Sequence, residues 1–199
     1  MMKIAVFASG SGSNFQAIVD SIKVGLLDAE VKLLVCDKPN AYAIERAKKE
    51  EIESFVFNPK DFQSKEDFER KIVSELQKRE IQYLILAGYM RLIGPTILRE
   101  FEKRIINIHP SLLPKFPGKD AIGQAIAAGV NTTGVTIHFV DEGMDTGPII
   151  AQEELIIMEH DTAETLAVRI HEVEHRLYPK TLQTIFNNGG VRHHEKSAH

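Results

Sequence analysis

The sequence predicts an α/β domain: a doubly wound, mostly parallel sheet with a Rossmann-like amino-terminal half and an antiparallel pair of strands at its carboxyl-terminal side. Three observations predict it. Short apolar runs alternate with helical patterns along most of the chain, and those runs lack the polar alternation of a half-exposed strand, so both their faces are buried. Two late runs, by contrast, are joined by a loop too short for a helical crossover.

The first run, Lys3–Ala8, passes through a glycine- and serine-rich loop into a helix from about Asn14. Val31–Cys36, a charged helix over Ala41–Glu51 and Ser54–Phe57 complete a βαβαβ pattern. A polar helix over Lys65–Arg79, a strand at Tyr83–Ala87, a short helix after Pro95 and a strand at Arg104–Ile108, with His109 closing it, continue the alternation. Right-handed crossovers then place ligands beyond the carboxyl ends of the strands. Thr133–Val140 and Pro148–Ile157, separated by Asp141–Gly147, form the antiparallel pair. An amphipathic helix of roughly Thr162 to Phe186, with Asp161 as N-cap, ends before Asn187-Asn188-Gly189-Gly190. Residues 1–190 read as one domain, and 191–199 as a frayed, flexible tail.

With 199 residues and 43% hydrophobic content, the chain buries one substantial core. Its 24 Lys and Arg against 28 Asp and Glu leave a net charge of −4, which gives nucleic acid no basic footprint. Cys36 is the lone cysteine, so an internal disulfide is excluded and a reducing compartment suits the chain. The run Ile4–Ala8 is too short for a signal or membrane segment, and a cytoplasmic protein with no membrane partner is expected.

In the loop Gly10-Ser11-Gly12-Ser13-Asn14, free backbone N–H groups and the positive end of a helix converge on one spot. That combination binds anions, and the glycines permit a close approach. Phe15 stands where a dinucleotide fingerprint needs its third glycine, and no Gly-Lys-Ser/Thr is present, so a single phosphate monoester fits better; the plain alternative is a tight turn. Asp37, at the end of the second strand, is where a nicotinamide-binding protein carries its ribose acid; it reads here as an ordinary loop carboxylate.

Asn107 and His109, two residues apart, share one face at a strand's carboxyl end. Pro110-Ser111-Leu112-Leu113-Pro114-Lys115-Phe116-Pro117-Gly118 follows as a stiff, proline-rich loop that suits a preorganised site. The loop Asp141–Gly147 carries three carboxylates, Asp141, Glu142 and Asp145, of which one held near His109 favours the imidazolium that a general acid requires. Spacing alone leaves open which of the three does so.

At Ser9–Asn14, Asn107-Ile108-His109-Pro110-Ser111-Leu112-Leu113-Pro114 and Asp141–Gly147, the sequence resembles the folate-dependent formyltransferases, and its glycine-serine loop resembles their glycinamide ribonucleotide branch. The resemblance spans nearly the whole chain. It implies the formyltransferase fold, with about 1–100 as the phosphate-binding half and about 101–190 as the folate-binding and catalytic half. It implies transfer of a formyl group from 10-formyltetrahydrofolate, as co-substrate and without a metal, to the amine of 5'-phosphoribosylglycinamide in de novo purine biosynthesis. Small-molecule substrates would be taken by a monomer or homodimer. By the resemblance, Asn107, His109 and Asp145 are catalytic, Gly10, Ser11, Gly12, Ser13 and Asn14 hold the ribose phosphate, and Glu174 contacts the ribose hydroxyls. Lys65, Met90, Arg91, Leu92, Ile93 and Asn107, with Val140, Asp141, Glu142, Gly143, Met144 and Asp145, border the folate. Many family members carry histidine where this chain has Asp120, which alters the local proton network unless Asp120 simply caps a helix.

Other readings compete. His171-Glu172-Val173-Glu174-His175 matches the H-E-x-x-H of zinc hydrolases, but His193, His194 and Glu195, its third-ligand candidates, fall in the expected tail; a solvated helix face is the simpler reading. Methionyl-tRNA formyltransferases carry a further nucleic-acid-binding domain, and formyltetrahydrofolate deformylases, which use water as acceptor, commonly add an amino-terminal regulatory domain. A non-catalytic nucleotide-binding module would need the glycine loop but neither Asn107 nor His109.

Overall fold

The computed structural model describes residues 1–194. Seven strands, β1 (Met2–Ala8), β2 (Ala29–Cys36), β3 (Ser54–Val56), β4 (Tyr83–Leu86), β5 (Ile105–His109), β6 (Thr132–Phe139) and β7 (Ile149–Ile156), form one sheet in the order β3-β2-β1-β4-β5-β6-β7. β1 to β5 run parallel, while β6 is antiparallel to both β5 and β7. Six helices accompany them: α1 (Ser13–Lys23), α2 (Tyr42–Lys49), α3 (Lys65–Lys78), α4 (Pro95–Glu100), α5 (Ala121–Ala128) and α6 (Ala163–His194). The strand order reverses between β1 and β4, and a crevice opens at such a switch, beyond the strands' carboxyl ends.

The period of two along each strand divides the core between the faces. Ile4, Val6, Leu34, Ile85, Ile106 and Ile108 turn toward Phe15 and Ile18 of α1 and Leu166, Ile170, Tyr178 and Leu182 of α6. Ala5, Phe7, Leu33, Val35, Leu84, Leu86 and Ile105 turn toward Phe68, Ile72 and Leu76 of α3 and Ile97 of α4. Each such fully buried Leu, Ile or Phe contributes about 1.5–3 kcal/mol relative to exposure. Tyr178 reaches through its layer to donate its hydroxyl to Leu86 O at 2.8 Å and Ile106 O at 3.1 Å, tying α6 to the ends of β4 and β5.

Local expectations needed correction in three places. α5 follows the proline-rich loop, and Asp120 is its N-cap, accepting from Gly123 N–H at 3.2 Å. At α6 the capping residue is Thr162, not Asp161: Thr162 Oγ1 accepts from Thr165 N–H at 3.2 Å, and Thr165 Oγ1 accepts from Thr162 N–H at 2.9 Å. That reciprocal pair occupies the helix entrance, and Asp161 accepts from Met158 N–H at 2.7 Å in the preceding turn. α6 also does not stop at Phe186; its backbone continues through Gly189-Gly190 to His194, because Phe186, 5% exposed, packs its last turns onto the core and tertiary burial outweighs the local stop signal. Of the expected tail, 191–194 are helical and 195–199 lie outside the described residues.

Candidate active site

Over β5 and β6 the face that carries apolar side chains elsewhere becomes polar. Ile106 and Ile108 of β5 enter the α1–α6 layer, so Asn107 and His109 face the other way. The antiparallel register sets Asn107 opposite His138 and His109 opposite Thr136. Loops, rather than a helix, close over these four residues. Thr136 Oγ1 donates to Ser111 O at 2.7 Å and accepts from Leu113 N–H at 3.1 Å, and Gln152 Nε2 donates to Leu113 O at 2.9 Å. The proline-rich loop is thus clamped to the sheet from below, as its stiffness suggests.

His109 is 6% exposed. Its Nε2 lies 2.8 Å from Phe116 O, and because a carbonyl only accepts, Nε2 carries a proton. Its Nδ1 lies 3.5 Å from Asp145 Oδ2. His138 donates Nδ1–H to Phe139 O at 2.8 Å, which leaves Nε2 between Asn107 Nδ2 at 3.5 Å and Asp145 Oδ1 at 3.7 Å. Asp145 Oδ2 also accepts from Gly118 N–H at 2.8 Å. Burial pushes the Asp145 carboxyl up, but the nearby His138 imidazole, the Gly118 N–H and the His109 imidazole together outweigh it, and the group sits below its ordinary value of 3.8. One carboxylate thus lies between two imidazoles and a rigid loop. The other two candidates do not reach the cluster: Asp141 Oδ1 holds its own turn through Gly143 N–H at 3.0 Å and Thr146 Oγ1 at 2.7 Å, and Glu142 is exposed.

At the carboxyl end of β1, Gly12 stands before α1 with φ 75, and no side chain caps the helix. A Cβ at Gly12 would lie 2.8 Å from Ala43, so glycine is required both for the left-handed backbone and for the approach of α2. The first N–H groups of α1 are left for a ligand. Asn14, 9% exposed, donates Nδ2 to Glu174 Oε2 at 3.5 Å, while its Oδ1 is buried without a partner among the described residues. Burial raises Glu174 to about 7, opposed by the Asn14 hydrogen bond. Gly10 to Asn14 and Glu174 are thereby brought to one place, on the α1–α6 side of the sheet. β1 and β5 are separated only by β4, so Phe7, near the end of β1, and Asn107 of β5, both in register with Leu86, are about 10 Å apart across two strand spacings.

A cleft of about 1580 Å³ is lined by Lys65, Leu92, Ile93, Val140, Asp141 and Glu142 on one wall and by Thr184, Ile185, Asn188 and Gly189 of α6 on another. Asn107, His109, Asp145 and the glycine-serine loop do not line it. Met90 and Met144 are 62% and 55% exposed, and Gly143 is half-buried. Lys65 Nζ donates to Leu92 O and so fixes the segment from α3. Asp37, read as a loop carboxylate, is instead buried and bonded through both oxygens, to Ser9 Oγ at 2.5 Å and Arg91 Nε at 2.8 Å, leaving none for a dinucleotide ribose.

On α6, the His171 and His175 rings stack 6.3 Å apart, His171 Nε2 lies 3.8 Å from Glu174 Oε1, and Glu172 is exposed. Among the described residues no three His, Cys, Asp or Glu side chains are placed to hold a metal ion; the side chains of His193 and His194, and Glu195 altogether, lie outside the description. No helix among the described residues is long and apolar enough to cross a membrane. Sequence reasoning missed His138. Its signal was available in alternation, since an antiparallel partner of β5 must present Thr136 and His138 on the face shared by Asn107 and His109.

The known proteins similar to this chain fall in one family. A family model described as formyl transferase matches residues 2–182. Phosphoribosylglycinamide formyltransferase of Bacillus subtilis (strain 168) is 56% identical over 194 residues, covering 96% of this chain and 100% of that protein. The crystal structure of glycinamide ribonucleotide transformylase 1 from Geobacillus kaustophilus is 61% identical with a TM-score of 0.91, covering 93% and 98% of the two chains. That of phosphoribosylglycinamide formyltransferase from Bacillus halodurans is 57% identical with a TM-score of 0.90, covering 92% and 94%.

Proposed function

The chain belongs to the formyl transferase family, and from that premise we propose that it transfers the formyl group of 10-formyltetrahydrofolate to the amine of 5'-phosphoribosylglycinamide, yielding formylglycinamide ribonucleotide and tetrahydrofolate. The observation that carries the reading is the Asn107–His109–Asp145 cluster at the carboxyl edge of β5, with a glycine-serine phosphate cradle two strands away.

The acceptor's phosphate takes the free N–H groups at the start of α1, and its ribose hydroxyls meet Glu174. The folate enters along the Leu92, Ile93 and Val140 side of the cleft. The acceptor amine attacks the formyl carbon, the carbonyl oxygen becomes an oxyanion, and the C–N10 bond breaks as N10 gains a proton and the attacking nitrogen loses one. Asn107 Nδ2 and the His109 Nε2–H are the donors for the oxyanion; His109 reaches it by exchanging its bond with Phe116 O. Asp145 orients the imidazole from the Nδ1 side. Holding both substrates in line supplies much of the remaining acceleration. No metal enters the sequence of steps, and the substrates are small molecules.

Purified protein mixed with 10-formyltetrahydrofolate, with and without 5'-phosphoribosylglycinamide, tests the reading through tetrahydrofolate release. Release only in the presence of the acceptor supports it. Release of formate and tetrahydrofolate without the acceptor would convert the assignment to a deformylase.

A further inference from the structure

We propose that Asp37, in the phosphate-binding half of the molecule, is a positioning residue for Met90–Ile93, the segment that borders the folate in the reading above. The proposal rests on that reading. Asp37 follows β2, and its side chain is 1% exposed. Its carboxylate accepts from Ser9 Oγ at 2.5 Å and from Arg91 Nε at 2.8 Å. Ser9 in turn accepts from Met90 N–H at 2.9 Å and donates its own N–H to Gly88 O at 3.0 Å. A single polar knot thus joins the ends of three adjacent strands, β2, β1 and β4, at the switch point of the sheet.

Side-chain burial holds only the far end of the segment. Met90 and Leu92 are 62% and 44% exposed, so burial of their side chains does not fix it. Ile93 is anchored at 2% exposure, and Lys65 Nζ binds Leu92 O, but both act on the far end. At the near end the backbone of Met90 and the guanidinium of Arg91, which also lies 5.9 Å from the Phe68 ring, answer to Ser9 and Asp37. A buried carboxylate that loses its cation is costly, so conformations of Met90–Arg91 that leave Asp37 unpaired are disfavoured. The free energy of burying Asp37 is in this way converted into a defined wall for the ligand, although Asp37 itself touches none.

The test is calorimetric titration of tetrahydrofolate, and separately of 5'-phosphoribosylglycinamide, into the wild type, Asp37→Asn, Ser9→Ala and the double variant Asp37→Asn/Arg91→Gln, with melting curves to confirm folding. Asp37→Asn should weaken tetrahydrofolate about 10- to 100-fold, the range for losing a buried hydrogen bond to a charged group, and leave the acceptor within about threefold. The double variant restores a neutral amide pair and should regain about tenfold of that loss. Ser9→Ala frees Met90 N–H without disturbing the ion pair and should show a smaller loss of the same folate-selective kind; it carries the test if Asp37→Asn does not fold. Unchanged tetrahydrofolate affinity in the folded variants overturns the proposal, as does an equal loss for both ligands without recovery in the double variant, which is what a merely structural tie would give. A wild type that binds the acceptor but no tetrahydrofolate overturns the folate reading, and this proposal with it.

Discussion

Glu174 offers the sharpest quantitative test of the acceptor side. Its carboxyl is 5% exposed, and burial lifts it from an ordinary 4.5 to about 7. Three polar groups face it: Asn14 Nδ2 from α1 at 3.5 Å, His171 Nε2 one turn away on α6 at 3.8 Å, and the buried phenol of Tyr178, whose own ionisation Glu174 opposes. A folded-state value above the unfolded one means that stability is fully present below pH 4.5 and is lost as pH rises to about 7, because the unfolded chain ionises first. The gap between 4.5 and about 7 corresponds to roughly 3 kcal/mol. Glu174→Gln keeps the shape and the acceptor for Asn14 but cannot ionise. At pH 8.5 the variant should therefore melt about 6–12 °C higher than the wild type, taking 2–4 °C per kcal/mol for a chain of this length, and the two should coincide near pH 4. Scanning calorimetry across pH 4–8.5 reads the difference directly. Acceptor affinity gives a second readout: ribose hydroxyls that donate to the carboxylate favour its ionised form, so wild-type affinity should rise through pH 7 and that slope should vanish in Glu174→Gln. Melting curves that run parallel for the two proteins across the whole range would refute the argument that burial of this carboxyl sets its titration.

His109→Ala should lower kcat by about 10²–10⁴ while the tetrahydrofolate dissociation constant stays within about threefold; near-normal turnover in the folded variant, measured in the acceptor-dependent assay, would remove His109 from proton transfer. Asp145→Asn should lower kcat by about 10². Because the Asp145 carboxyl lies below its ordinary value, the stability it contributes is present above the ordinary range and lost as pH falls through the lowered one, so the variant's melting temperature should fall less steeply below pH 4 than the wild type's. Gly12→Ala should cost about 1–2 kcal/mol from the left-handed backbone alone, with the contact against Ala43 added, and should weaken the acceptor while sparing tetrahydrofolate in paired titrations.

The parallel half of the fold was legible because its signals are local: buried strands of unbroken apolar residues, each followed by a helical stripe, leave little choice of topology. The antiparallel turn was legible from the length of Asp141–Gly147, and Asn107 with His109 from their spacing on one strand. What was not legible depends on contacts between segments distant in sequence. Spacing alone could not choose Asp145, which only the resemblance singled out, over Asp141 and Glu142; the physical reason is that the loop folds back, spending Asp141 on Gly143 and Thr146 and turning Asp145 toward Gly118 and the two imidazoles. His138 carried no motif and became visible only through its register with Asn107. Asp37 looked like any residue after a strand, since its partners Ser9 and Arg91 lie 28 and 54 positions away. Gly189-Gly190 signalled a helix end that packing of α6 overrode.

The change from parallel to antiparallel pairing has a consequence for the proposed chemistry. While the sheet runs parallel, crossover helices cover both faces, and the α3–α4 face of β1, β2 and β4 is apolar throughout. Once β6 follows β5 by reversing direction, no crossover helix is required on that face, and its place is taken by the loops at Ser111–Gly118 and Asp141–Gly147. Only there can the sheet present Asn107, His109, Thr136 and His138 without burying them beneath a helix. The glycine-serine cradle, tied by Asn14 and Glu174 to the α1–α6 side, lies at the same carboxyl edge but on the opposite face. Two substrates approaching from opposite faces would meet at that edge, each held by its own half of the fold, and the reacting amine and formyl group would be brought into line by the sheet itself rather than by motion of either half. On this view the rigidity of β4 and β5, which pair directly and are both bonded by the Tyr178 hydroxyl through Leu86 O and Ile106 O, matters as much as the side chains they carry.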